Sequence, residues 1–255
     1  MQLTKHAHAC VSLTNDKARI VIDPGTFTPD AAQAVAAADA VLITHEHFDH
    51  FDEDLIAKSL DARPELRVYG PASVVERWSA RRGQVTAVRA GDSMTVAGFD
   101  VAVFGDLHAS IHRDIPRVTN VGYLVDGRLY HPGDAYHVPD AAVDTLLLPT
   151  SGPWTKLGEA ADFVRELAPS NLIQIHEVML SPTGQQSTAR FLSPEMLTEV
   201  PLAIVPIGET VTVCTRGTPM WHPACPGRPH AERDPFVESV LRHPPGELPA
   251  VSARG

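Results

Sequence analysis

Between positions 45 and 50 the chain reads His-Glu-His-Phe-Asp-His. Imidazoles and carboxylates at this density form a ligand set for a divalent cation, and the absence of thiolate suits zinc, manganese or iron. The run follows a short apolar stretch, Ala40–Thr44, that reads as a strand. On extended backbone alternate side chains share a face, so His45 and His47 point one way while Asp49 and His50 turn toward a neighbouring point. One segment thus offers two ligand pairs. Since divalent ions in proteins take four or more ligands, the remainder must come from elsewhere in the chain.

Three further candidates each follow an expected strand. His108 comes after Phe99–Phe104, Asp134 after Leu129–Tyr130, and His176 after Leu172–Ile175. Singly they read equally well as a loop histidine, a turn former after Pro132-Gly133, and a strand-end histidine. Beside the histidine run they gain a shared purpose. Loops at one sheet edge are where ligands converge, and five histidines with two aspartates would furnish two adjacent sites sharing a carboxylate.

The elements that must position these residues are legible in the patterning. Cys10–Ser12 and Ala18–Ile22 read as a strand pair around Asn15-Asp16, Ala31–Ala38 as helical, and Pro71 as opening a helix with Val74, Val75 and Trp78 on one face. Met94 and Val96 alternate with Phe99, Val101 and Val103 across Ala97-Gly98, and Val121, Tyr123 and Val125 lead into Asp126-Gly127; both read as hairpins. Val143–Leu148 is a buried strand, Leu157 to Ala168 a helical stripe stopped by Pro169, and Leu172–Ile175 and Ala203–Ile207 complete the set. Two turns echo each other, Ile22-Asp23-Pro24-Gly25 and His131-Pro132-Gly133-Asp134, as a duplicated architecture would.

Composition bounds the rest. A chain of 255 residues, 44% hydrophobic and 20% charged, is globular. The longest nearly apolar stretch, Ala31 to Ile43, is too short and too interrupted to span a membrane. With no apolar leader at the N-terminus, a cytoplasmic protein is the default expectation. Cys10, Cys214 and Cys225 form no CxxC pair, so neither a disulfide framework nor a thiolate zinc site is expected. A net charge of −10 without a basic run argues against nucleic acid as a partner. Residues 1–215 are expected to form one domain. The proline-rich stretch 216–255 lacks periodic apolar residues and is expected to be a disordered tail.

The sequence resembles the metallo-β-lactamase-fold hydrolases over nearly all of residues 1–215. The likeness is carried by His8-Ala9-Cys10-Val11, Ile22-Asp23-Pro24-Gly25, His45–His50, His108-Ala109 with Ile111–Pro116, Asn120–Leu124, His131–Asp134, Pro153-Trp154 and His176-Glu177. Within that superfamily it is similar to small, lidless bacterial proteins of the ascorbate-6-phosphate lactonase-like type. The resemblance implies an α+β fold, an αββα sandwich of two mixed sheets face to face with helices on the outer faces. It also implies a binuclear site in which His45, His47 and His108 hold one metal, Asp49, His50 and His176 the other, and Asp134 bridges. The pattern differs where related members show Gly-His and this chain has Ala7-His8, so a substrate contact by His8 does not carry over directly. His8, Asp23, His112, Tyr136 and His137 are candidates for substrate contact or for support of the ligands.

Such a pair of ions, most simply Zn2+ with Mn2+ or Fe2+ as alternatives, would share a water and acidify it, producing a bridging hydroxide as nucleophile. Asp49 and Asp134 would be the catalytic carboxylates. The expected activity is cleavage of a small ester, lactone or phosphodiester, with the leaving-group proton from His112, Tyr136, His137 or the metal-bound water. Alternatives on the same fold are a mononuclear-iron, persulfide-dioxygenase-like oxidoreductase and a metal-dependent nuclease. The expected partner is a small molecule, with neither nucleic acid nor membrane, and homo-oligomerisation is open.

Overall fold

The structure is a computed structural model, and it describes residues 1–213; the stretch expected to be a disordered tail, 216–255, lies outside the described residues. Two seven-stranded sheets make up its centre. The first contains β1 (Gln2–Lys5), β2 (Val11–Thr14), β3 (Arg19–Ile22), β4 (Ala40–Leu42), β5 (Arg67–Gly70), β6 (Val85–Ala87) and β14 (Thr210–Thr212), in the order β14-β1-β2-β3-β4-β5-β6. The second contains β7 (Ser93–Val96), β8 (Phe99–Phe104), β9 (Gly122–Val125), β10 (Leu129–His131), β11 (Thr145–Pro149), β12 (Asn171–Ile175) and β13 (Leu202–Ala203), in the order β13-β12-β11-β10-β9-β8-β7.

Both sheets are mixed in the same way. Pairing is antiparallel from β14 to β3 and parallel from β3 to β6; it is antiparallel from β7 to β10 and parallel from β10 to β13. Strands β3 and β10 therefore hold equivalent places, and each leads into one of the two echoing turns.

Side-chain alternation sorts the layers. Val11, Leu13, Ile20, Ile22, Ala40 and Leu42 of the first sheet meet Val101, Val103, Tyr123, Val125, Leu147 and Ile173 of the second in one core. The residues between them face outward. Val41, Ile43 and Val68 pack under α1 (Ala31–Ala36), α2 (Glu53–Ala62) and α3 (Ala72–Val75), whereas Leu146, Leu148 and Leu172 pack under α4 (Leu157–Leu167). This is the αββα sandwich.

Both hairpins form as expected, with positive φ at both turn residues: Ala97 (49°) and Gly98 (83°), then Asp126 (52°) and Gly127 (61°). Helix α4 ends on Ala168 in the left-handed region, directly before Pro169. Other expectations need correction. The Pro71 helix is one turn of α3 followed by a 3-10 segment, Glu76–Arg81, kinked at Trp78. The strand expected over Ala203–Ile207 is only Leu202–Ala203. Helix α2 was not expected, although Ile56 and Leu60 give it a buried face at i, i+4 spacing and Asp52 caps it by accepting the Leu55 N–H. Helix α5 (Pro182–Phe191) buries none of its residues and left no stripe to read.

Candidate metal centre

The loops that follow β3, β4, β8, β10 and β12 place Asp23, the 45–50 run, His108, Asp134 and His176 together, and the β1–β2 connection adds His8. Three groups of ligand atoms result, within each of which all atoms lie within 4.8 Å of one another: His8, Asp49, His50 and His176; His45, His47 and His108; and His45, His50 and Asp134. The expected alternation does not divide the run: the His50 and Phe51 N–H groups both donate to the His47 carbonyl, and this tight turn is what sends Asp49 and His50 together to the second group. The loop is seated against the Asp-Pro-Gly turn. A β-carbon on Gly25 would fall 1.9 Å from the Asp49 carbonyl oxygen, so only glycine allows this approach.

Asp134 lies at the centre. Its Oδ1 is 3.0 Å from His50 Nε2, and its Oδ2 is 3.1 Å from His176 Nε2 and 3.4 Å from His108 Nε2. The Trp154 indole N–H donates to Oδ2 at 2.8 Å. Asp49 Oδ2 sits 3.0 Å from His8 Nε2 and 3.6 Å from His176 Nε2.

The far side of each ring decides its chemistry. His50 Nδ1 donates to Asp23 Oδ2 at 2.6 Å, and His108 Nδ1 donates to the Ala109 carbonyl at 2.6 Å. Thr44 gives its hydroxyl proton to Asp23 Oδ2 at 2.7 Å, so at 3.0 Å the same oxygen accepts from His45 Nδ1. Each of these three rings therefore carries a proton on Nδ1 and turns Nε2 toward the cluster. His45 Nε2, His50 Nε2, His176 Nε2 and Asp134 Oδ1 are buried and make no hydrogen bond. Facing each other at 3.0 Å, His50 Nε2 and Asp134 Oδ1 need a cation between them, either a proton or a metal ion. The donor set therefore fits divalent metal.

The charges and burial within the cluster shift its members in different directions. Burial alone would raise the Asp134 carboxyl, but the charges of His50 and His176 and the close approach of the His108 and His176 rings hold it well below the usual carboxylate range. Asp49 is likewise opposed by burial, yet the His8 hydrogen bond and nearby histidines bring it to about 2. Burial, reinforced by His50, pushes His45 well below its usual value, so the ring is neutral and fit to ligate. For His50 burial is outweighed by Asp134 and Asp23, which raise it well above the usual range.

The remaining sequence-expected residues are placed variously. Asp23 is fully buried and supports His50 and Thr44. His8 is buried inside the ligand cluster, edge-on to Phe27. Tyr136 stacks on Phe163 and donates its hydroxyl to the Pro149 carbonyl at 3.0 Å. His137 is exposed, its carbonyl accepting from Tyr130. His112 is 55% exposed and faces Asp114 in its own loop, contributing no atom to the three groups. Sequence reasoning missed Thr44 and Asn120. Buried Asn120 accepts the Asp134 N–H and donates to the Pro132 carbonyl, fixing the Asp134 turn, and nothing in its spacing marked it.

Comparison with known proteins agrees with this geometry. Residues 2–176 match the family described as beta-lactamase superfamily domain. Protein Rv0786c of Mycobacterium tuberculosis is 36% identical over 194 residues, covering 72% of this chain and 88% of that protein. A UPF0173 metal-dependent hydrolase of Methanosphaerula palustris is 29% identical over 233 residues, covering 84% of this chain and 100% of the relative. Among solved structures, Igni18, a metallo hydrolase from Ignicoccus hospitalis, superposes with a TM-score of 0.65 at 20% identity, covering 84% of this chain and 99% of that one. With its two mixed sheets, outer helices and converging histidines, the chain is an enzyme of the beta-lactamase superfamily and has the metallo-β-lactamase fold.

Proposed function

We propose that this protein is a metal-dependent hydrolase of small esters, lactones or phosphodiesters, working with two divalent cations, Zn2+ in the first instance. His45, His47 and His108 would hold one ion; Asp49, His50 and His176 the other; Asp134 would bridge them. The observation that carries this is the convergence of the His45, His50 and His108 rings on Asp134 while every Nδ1 among them is bonded to the protein on its far side. The names of the curated relatives support the same reaction class.

Bound there, the ions would supply Lewis acidity and a water acidic enough to attack at neutral pH. The chain's own residues do the positioning. Asp23 and Thr44 fix the His50 and His45 rings, and Trp154 occupies one lone pair of Asp134, limiting how that carboxylate can turn. Asp49 binds His8 through Oδ2, leaving Oδ1 to accept a proton from the attacking water. The Tyr136 phenol, raised by burial, keeps its proton at neutral pH.

The test is elemental analysis of the purified protein together with a panel of p-nitrophenyl esters, lactones and phosphodiesters, assayed before and after chelation. Two metal equivalents and turnover lost on chelation are expected. Oxygen uptake with a persulfide substrate, or degradation of nucleic acid with no small-molecule turnover, would replace this proposal by one of its rivals.

A further inference from the structure

Behind the ligand cluster lies a pair of charges that the ligand set leaves out. Lys5 shares a face of β1 with Leu3, which points into the core between the sheets, and it is only 1% exposed. A lysine at a core position is disfavoured unless its charge is paired and its donors are used. All of them are used. Nζ lies 3.1 Å from Glu177 Oε1 and 3.0 Å from the His8 carbonyl, and it also donates to the His6 carbonyl.

The same atoms tie two ligand loops together. Glu177 Oε1 accepts the His8 backbone N–H at 3.0 Å, and the His8 carbonyl accepts the His176 N–H at 3.0 Å. Both histidines have left-handed backbone, with φ of 60° and 59°, a conformation that a residue with a β-carbon keeps only when its surroundings enforce it. Their rings lie 3.7 Å apart between centroids, and both contribute to the group completed by Asp49 and His50. The group of His45, His47 and His108 is braced separately, through Thr44 and Ala109.

We infer that Lys5 and Glu177 are positioning residues, a buried clamp that holds His8 and His176 in their left-handed conformations and so sets the spacing of one ligand group and not the other. This rests on the metal centre proposed above. Lys5→Met/Glu177→Leu in the full-length chain removes the clamp without stranding a buried charge. In Co2+ titrations followed by visible absorption, one ion should bind about 10–100-fold more weakly, the usual loss when support behind a ligand is removed, while the other stays within about twofold. In the metal-free variant the His8 and His176 amides should exchange with deuterium at least about tenfold faster.

Two ions bound as in the wild type, both ions weakened equally, or unchanged amide exchange would each overturn the clamp. If the double variant fails to fold, Glu177→Gln keeps an acceptor for the His8 N–H but removes the charge opposite Lys5. It should weaken one ion about tenfold, and wild-type binding by this variant would also refute the inference. A wild-type protein that takes up no divalent ion would instead defeat the proposed metal centre, and amide exchange would still decide the clamp.

Discussion

Two sets of buried histidines in this molecule look alike in sequence and differ in what their ring nitrogens touch. His6 is bonded at both ends, Nδ1 to Asp30 Oδ2 at 2.6 Å and Nε2 to Ser12 Oγ at 2.7 Å; His131 accepts the Gly133 N–H on Nδ1 and faces the Ala9 carbonyl at 2.9 Å through Nε2. His45 and His50 are bonded to the supporting protein on Nδ1 alone; Nε2 of His45 is buried without a partner, and Nε2 of His50 faces only Asp134 Oδ1. The first pair is complete without any ligand; the second is not. His6 also shows how little a constellation means without access. Asp30, His6 and Ser12 are arranged like a nucleophilic triad, but Ser12 is 2% exposed in mid-strand, so the arrangement ties α1 to its sheet.

The sharpest way to break this contrast is Asp134→Asn. Removing the shared charge should weaken metal binding by more than about 100-fold and abolish turnover, read by elemental analysis and by assay of the same sample. Wild-type activity in that variant would sink the bridging assignment. Asp23→Asn touches no metal but weakens the acceptor that fixes His50 Nδ1, and a loss of about 10–100-fold in metal affinity with an intact fold is expected.

Acidity should act directly on the metal-facing cluster. In the metal-free protein His50 is raised well above its usual range, so protons compete with metal, and affinity measured between pH 8 and 6 should fall as pH falls, by up to about tenfold per unit for each proton displaced. Asp49 is depressed from 3.8 to about 2; its contribution to stability is present above the unfolded value and is lost as pH falls toward 2, which melting curves of the metal-free protein would show.

On the other side of the comparison, His6→Asn should cost about 1–3 kcal/mol of stability, by denaturant titration, because it strands buried Ser12, while metal content stays at the wild-type value. The smallest effect is expected from His112→Ala. Its exposed side chain should change stability by less than about 0.5 kcal/mol and leave metal content alone, and a large fall in turnover would show that the 108–117 loop reaches the substrate.

Much of this organisation was legible beforehand, and for identifiable reasons. Continuous apolar runs in Ile20–Ile22 and Leu146–Leu148 marked strands buried on both sides, alternation in Phe99–Val103 marked a strand with one open face, and glycine-bearing turn pairs marked both hairpins. Helix α5 escaped because it buries none of its residues, whereas α2 escaped despite the Ile56 and Leu60 spacing behind its Asp52 cap. In the site, the 45–50 run announced itself by spacing, whereas Asn120, Thr44, Lys5 and Glu177 did not, since each acts through a partner far away in sequence.

Residue type and spacing thus determined by themselves which side chains bear metal chemistry, and local period determined which faces of the strands before them are buried. Only the packing of one sheet on the other decided which ring nitrogen is left bare, that His8 joins Asp49, His50 and His176, and that a lysine can sit in the core. The physical reason is that alternation fixes a side chain relative to its own backbone, while the meeting of residues 8, 50, 134 and 176 depends on contacts between segments that no local pattern encodes.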